Sequence, residues 1–183
     1  MSRPRPSAPV VTVVLAVAVV AAYGLELAAG VERTCLAYGL NPAHPTLAAA
    51  LASLFLHASW PHLLGNLVVL VAAGSLVERA IGSVRFAALY LLAGLAGAAL
   101  HVAVAPGTLV GCSGSLCGLL AVLGVIRPRL LGFVAGFIAW NVWLAWSGTV
   151  DGSSFACHIG GFLIGAIFVL AARAAKSDCL EAA

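Results

Sequence analysis

Six apolar blocks recur along this chain of 183 residues, and each is long enough, or nearly long enough, to cross a lipid bilayer as a helix. A helix needs about 20 apolar residues to cross a hydrocarbon core about 30 Å thick. Charged residues make up 8% of the chain, against about 25% in soluble domains. No alternating strand pattern competes with helices. The sequence therefore predicts an all-α polytopic membrane protein.

The apolar blocks predict six transmembrane helices within one membrane domain, residues 10–175. A basic, proline-rich leader (1–9) precedes this domain and a short tail (176–183), predicted to be disordered, follows it. The predicted spans are 10–29, 46–77, 86–105, 113–126, 130–146 and 155–172. A cleaved signal peptide is the alternative for the first block, but its apolar part exceeds the 7–15 residues of a signal core. Pro61 should break the second block and leave its first part as an interfacial segment.

The basic residues predict the orientation of the bundle. If there are six spans, eight of the nine Lys and Arg residues fall on one side, and Arg33 alone falls on the other. Because basic residues concentrate in cytoplasmic loops, both termini should be cytoplasmic. We therefore expect a multi-pass protein of the plasma membrane. The net charge of +3 predicts no nucleic-acid partner, because the basic residues lie between spans and form no single patch. The oligomeric state is left open.

The fourth block is too short to cross the membrane as a helix. From Ser113 to Ile126 a helix measures about 21 Å, about 9 Å less than the hydrocarbon core. Residues 107–112 should therefore enter the membrane as non-helical chain, which is tolerated beside a water-filled cavity or inside protein. This places Ser113 at a helix start, on the floor of a cavity open to the extracytoplasmic side. The alternative is a small-residue packing seam in which Ser113 bonds to its own helix.

Polar residues of three spans are predicted to converge on Ser113. His62 and Asn66, four residues apart, share one face of the second span. On the sixth span His158 precedes two glycines that would let the fourth span approach closely. Ser113 and His158 could then act as a nucleophile and its general base, with His62 and Asn66 as oxyanion donors. The glycines predicted to permit this packing are Gly111, Gly114, Gly118, Gly161 and Gly165.

These motifs, in this order over six spans, resemble rhomboid intramembrane serine proteases. The resembling patterns are His62-x-x-x-Asn66, Gly111-x-Ser113-Gly114 and His158-x-x-Gly161-x-x-x-Gly165, and the similarity covers about residues 47–170. The resemblance implies cleavage of single-span membrane proteins by Ser113 and His158, with no metal or cofactor. It also implies that His62 and Asn66 stabilise the oxyanion. Cys117 stands where many relatives carry an aromatic residue that packs on the catalytic histidine.

Other interpretations stay open. A metal site could be built from His57, His62, His158, Cys112 and Cys157, although no H-E-x-x-H motif occurs. A transporter or channel is disfavoured because no charged residue marks an intramembrane path. A rhomboid-like protein that binds membrane clients without cutting them is the third alternative. A two-residue dyad is favoured over a triad completed by Asp151. Glu26 is expected to reach the headgroups, and His101 is expected to be interfacial.

Overall fold

The structure, a computed structural model, describes the backbone of residues 8–146 and 153–181, with side chains except at 140–142, 144–146, 153–154 and 176–181. Asp151 and most of the leader lie outside the described residues. The helices of the described part are α1 Val10–Ala29, α2 Val31–Tyr38, α3 Leu47–Ser53, α4 Trp60–Val69, α5 Ser75–Ile81, α6 Ser83–Val104, α7 Ser113–Ile126, α8 Leu131–Trp146 and α9 Ser153–Glu181. The predicted all-helical architecture is confirmed for this part of the chain.

Within residues 8–146 and 153–181, four apolar helical segments are long enough to cross a membrane. They are Val10–Ala29, Trp60–Ile81, Ser83–Val104 and Phe155–Ala175. Helix α7 begins at Ser113 and ends at Ile126, as the sequence predicts. In the described part of the chain, it and the segment Pro128–Ala139 are apolar helices too short to count as spans. A count of six crossings and the cytoplasmic location of both termini stay predictions.

The second block is divided differently from the prediction. Residues 54–59 separate α3 from α4, so the helix is interrupted before Pro61, and Pro61 lies in the first turn of α4. A proline there loses no hydrogen bond, because the first N–H groups of a helix have no partner within it. The Ser59 hydroxyl accepts from the backbone N–H of His62 at 3.4 Å and caps this start. A π-helical turn, Leu70–Gly74, then joins α4 to α5, so the span ends at Ile81.

The predicted disordered tail is helical over most of its length. Helix α9 continues without a break as far as Glu181. Alanines and a lysine, which favour helix, follow the apolar part of α9. The end of the apolar block therefore did not mark the end of the helix.

Helix α7 lies at the centre of the bundle, and nearly all of its residues between Ser113 and Gly124 are buried. It packs against α6 on one side and α9 on another. A Cβ atom on Gly161 would collide with the backbone carbonyl of Gly114, and one on Gly165 would collide with that of Gly118. The α7–α9 contact is thus a backbone-to-backbone approach that needs glycine at these positions.

Helix α1 is fastened to the bundle at its N-terminal end by a buried carboxylate. The side chain of Glu78 accepts hydrogen bonds from the backbone N–H groups of Val11 (3.0 Å) and Thr12 (2.7 Å). It also accepts from the hydroxyls of Thr12 and Ser83, each at 2.7 Å. The first N–H groups of α1, which have no partner within the helix, are thereby satisfied.

Candidate active site

The centre of the site is a hydrogen bond between two helices. Ser113, the first residue of α7, and His158, in the second turn of α9, are joined by 2.9 Å between the serine Oγ and the imidazole Nε2. Ser113 is only 9% exposed. The glycine contacts of Gly161 with Gly114 bring the two helices close enough for this bond, because Gly161 lies one turn after His158 on the same face.

The segment before Ser113 is held in place as non-helical chain. Leu40 and Leu109 exchange two backbone hydrogen bonds, at 2.9 and 3.0 Å. The ring Nε2 of His101 lies 2.9 Å from the carbonyl oxygen of Gly107. His101 is fully buried in protein, and its location at the depth of the membrane interface stays a prediction. Gly107, its partner, belongs to the loop that enters the bundle before α7. The bond satisfies a backbone carbonyl that has no partner within a helix.

Gly111 lies against His62 and Asn66, two residues before Ser113. Its φ of +110° is a conformation that other residues rarely adopt, and its N–H donates to the Ser53 carbonyl at 2.7 Å. A Cβ on Gly111 would stand 2.7 Å from the Cε1 and Nε2 atoms of His62 and 3.4 Å from Nδ2 of Asn66. The two predicted oxyanion donors therefore both face the chain two residues before Ser113.

His57, which the sequence suggests as a possible metal ligand, belongs to this group as well. It is fully buried in the connection 54–59. Its Nδ1 lies 3.1 Å from the carbonyl oxygen of Phe55, and its Nε2 lies 3.1 Å from Nδ2 of Asn66. Burial and, to a smaller extent, the nearby His62 lower the pKa of His57 to about 4. The ring is therefore neutral at physiological pH.

Glu26 is also drawn into the site region, so the expectation that it reaches the headgroups is wrong. Its carboxylate, 1% exposed, accepts from the backbone N–H of His57, which lies 3.1 and 3.2 Å from the two oxygens. The Cys35 thiol lies 3.9 Å away. Helix α1 presents this face to the connection 54–59 rather than to lipid. The sequence signal that could have revealed this role is that carboxylates are rare within transmembrane segments.

Similarity to known proteins assigns this chain to a family. The family model of the rhomboid domain matches residues 44–174. This chain belongs to the rhomboid family. It is 32% identical over 128 residues to the rhomboid protease GluP of Bacillus subtilis (strain 168), a match that covers 67% of this chain and 25% of that protein. Together with its apolar helices, the family makes this chain an integral multi-pass membrane protein.

The space beside His158 in this rhomboid is an apolar cavity of about 290 Å³. Phe137 of α8 and Phe155 and Phe162 of α9 line it, and Cys117 borders it one turn after Ser113. A thiol is much smaller than the aromatic side chain that the family resemblance leads one to expect at this position. Cys117 and His158 both line this cavity, so the space next to the ring of His158 is not filled by residue 117.

The other nitrogen of the His158 ring has no partner within the described part of the chain. Its Nδ1 is buried, and none of the described residues bonds to it. Asp151, the carboxylate that could form a triad, is not among those residues. Groups of three His, Cys, Asp or Glu side chains placed to hold a metal ion are absent from the described residues. His57 and His62 instead contact each other edge to face, with ring centroids 5.1 Å apart.

Proposed function

We propose that this rhomboid is an intramembrane serine endopeptidase that cleaves single-span membrane proteins. The observation that carries the proposal is the 2.9 Å hydrogen bond between Ser113 Oγ and His158 Nε2. A serine hydroxyl is a weak nucleophile until an adjacent base removes its proton. The hydroxyl is buried in the membrane domain, where a transmembrane substrate is the peptide chain available to it.

The reaction follows from these two side chains. As Ser113 Oγ attacks the substrate carbonyl carbon, its proton moves to Nε2 of His158. The imidazolium then gives this proton to the leaving amine, and the peptide bond breaks to leave an acyl-enzyme. A water molecule, deprotonated by His158 in the same way, releases the acyl group. Ser113 and His158 act as a dyad, and neither metal nor cofactor takes part.

Three donors are available for the oxyanion that forms on the carbonyl oxygen. They are the Asn66 side-chain amide, the His62 ring and the backbone N–H of Ser113, which is unpaired within the helix because Ser113 begins α7. Asn66 and His62 both approach Gly111, next to the nucleophile. Fixed donors in a site of low dielectric stabilise developing charge without reorganising.

The test is direct. Purified wild-type protein is incubated with a panel of single-span substrates, and the products are identified by mass; a parallel sample receives a fluorophosphonate probe. We expect internal cleavage within or beside the transmembrane segment, and labelling of Ser113. Substrate binding with neither cleavage nor labelling would instead indicate a rhomboid-like protein that binds membrane clients.

We expect the loss of one oxyanion donor to slow turnover strongly. Removing such a donor typically costs about 10²–10³ in kcat. Asn66→Ala and His62→Ala should each fall in this range, with KM changed by less than about threefold, because the donors act on charge that develops after binding. Leu64→Ala on the exposed face of α4 is the matched control. Wild-type turnover in both site variants would assign these residues to packing alone.

The site should open to the extracytoplasmic side, with six crossings and cytoplasmic termini. We expect a cysteine at Leu36, on the exposed face of α2, to react with an impermeant maleimide in intact cells. A cysteine at Val84, at the exposed start of α6, should react only after the membrane is opened. Both are introduced into a chain whose Cys179 is replaced by serine. Labelling of Val84→Cys in intact cells would contradict this topology.

A further inference from the structure

Glu26 is a buried carboxylate within a membrane-spanning helix. At 1% exposure it contacts neither headgroups nor water. Among the described residues, its donors are one backbone N–H, of His57, and the Cys35 thiol. An apolar side chain at this position would avoid the cost of burying a carboxylate in the membrane. Its presence therefore needs a reason that packing of α1 does not supply.

The N–H that Glu26 accepts belongs to backbone that no helix satisfies. His57 lies in the connection 54–59, after α3 has ended and before α4 begins. A buried backbone N–H in such a place requires an external partner. Glu26 supplies it from α1, and thereby holds the backbone of residue 57 at a set position relative to α4. The contact of Val19 and Tyr23 with Leu63 keeps α1 against α4 beside this bond.

The backbone position of His57 determines which nitrogen of its ring carries the proton. The carbonyl oxygen of Phe55, 3.1 Å from Nδ1, can only accept, so Nδ1 carries the proton. In the neutral ring Nε2 is then an acceptor. It receives a hydrogen from Nδ2 of Asn66, 3.1 Å away, and the Cys112 thiol lies at the longer distance of 3.9 Å from the same nitrogen. An Asn66 amide turned by 180° would place its oxygen against the Nε2 lone pair, which is repulsive.

The orientation of the Asn66 amide follows from the protonation of the His57 ring. One of its two N–H groups bonds to His57, and the other stays available on the side where Gly111 approaches. That is the side of Ser113. We propose that Glu26 and His57 are positioning residues that direct the Asn66 N–H at the oxyanion of the reaction. This inference rests on the proposed protease function.

The test compares turnover of Glu26 variants. Glu26→Leu removes the acceptor while keeping the side chain's bulk, and we expect kcat to fall by about 10–100-fold, because small misplacements of a catalytic group cost up to about 10². KM should change by less than about twofold. Glu26→Gln keeps an oxygen acceptor and should retain at least about half of the turnover. Glu32→Leu, an exposed carboxylate in α2, is the matched control and should leave kcat unchanged.

A double-mutant cycle separates positioning from general destabilisation. If Glu26 acts through Asn66, then adding Glu26→Leu to Asn66→Ala should lower kcat by less than about twofold more. A further fall of tenfold or more in that background would overturn the positioning role. Leu15→Ala, which weakens the packing of α1 against the central core about three turns before Glu26, should lower the melting temperature but not kcat.

A second pair of variants covers the case in which Glu26→Leu does not fold. His57→Leu removes the acceptor for Asn66 and should lower kcat about as much as Glu26→Leu, whereas His57→Gln can present an oxygen near the Nε2 position and should recover part of the loss. Equal turnover of wild type, His57→Leu and Glu26→Leu would overturn the positioning role of Glu26 and His57 but not the proposed protease function. A wild-type protein that neither cleaves nor takes the probe overturns the proposed function as well.

Discussion

Ser113→Ala is expected to abolish substrate cleavage and fluorophosphonate labelling, with a loss in kcat of at least about 10⁴. Without the hydroxyl there is no nucleophile for His158 to activate, and the donors around Asn66 have no covalent intermediate to stabilise. The helix should persist, because alanine is the best helix former and the Ser113 side chain is small. Product mass and in-gel fluorescence of the purified protein measure both effects.

Ser115 provides the matched control for Ser113. It lies in the same turn of α7 and is fully buried, but its hydroxyl oxygen lies where a Cβ atom on Gly94 of α6 would collide with it. Two residues correspond to about 200° around a helix, so it points away from His158. Ser115→Ala should keep both cleavage and labelling. The opposite pattern, with activity lost in Ser115→Ala and kept in Ser113→Ala, would show that the nucleophile is assigned to the wrong serine.

Gly161→Ala is expected to lower kcat by about 10² or more. The added methyl would collide with the backbone carbonyl of Gly114, which cannot move without shifting the start of α7. Separation of α7 and α9 would lengthen the bond between Ser113 and His158, and a misplacement of about 1 Å can cost 10²-fold. Turnover and the rate of fluorophosphonate labelling should fall together, because both need the activated hydroxyl.

Gly24→Ala in α1 is the control for this substitution. A Cβ there meets no atom within 4 Å, and alanine favours a helix over glycine by about 1 kcal/mol. Its turnover should equal that of the wild type, with equal or higher thermal stability. Full turnover in Gly161→Ala at unchanged stability would show that α9 can move without disturbing the serine, and that the glycine contact does not set the geometry of the pair.

The bounds of α7 show how much a sequence can specify when both ends carry strong local signals. A non-helical stretch before Ser113 and the Arg127-Pro128 pair after Ile126 enclose an apolar run, and the helix occupies that run. Pro61 carried a weaker signal. A proline is compatible with either a break or a helix start, and the Ser59 cap decides for the start. The local sequence alone does not distinguish a helix break from a helix start at Pro61.

The polar residues of the bundle show what the local sequence does not specify, namely which distant residues become their partners. Glu26 and His101 each stand near the end of an apolar helix, where a contact with headgroups is the natural expectation. Both are instead buried against non-helical connections, through His57 and Gly107 respectively. These connections lie 31 residues away in one case and 6 in the other. No periodicity within either helix encodes which loop will be its partner.

The sequence by itself determined that this protein is a helical membrane protein and which serine and histidine to examine. Burial of about 20-residue apolar segments in lipid is a local property of each block, and motif spacing is visible in one dimension. Only the tertiary structure decided that Ser113 and His158 are hydrogen-bonded and that Glu26 lies behind His57 and Asn66. The reason is physical: these bonds depend on how closely separate helices approach, and that distance is set by glycine contacts and buried polar pairs across the bundle.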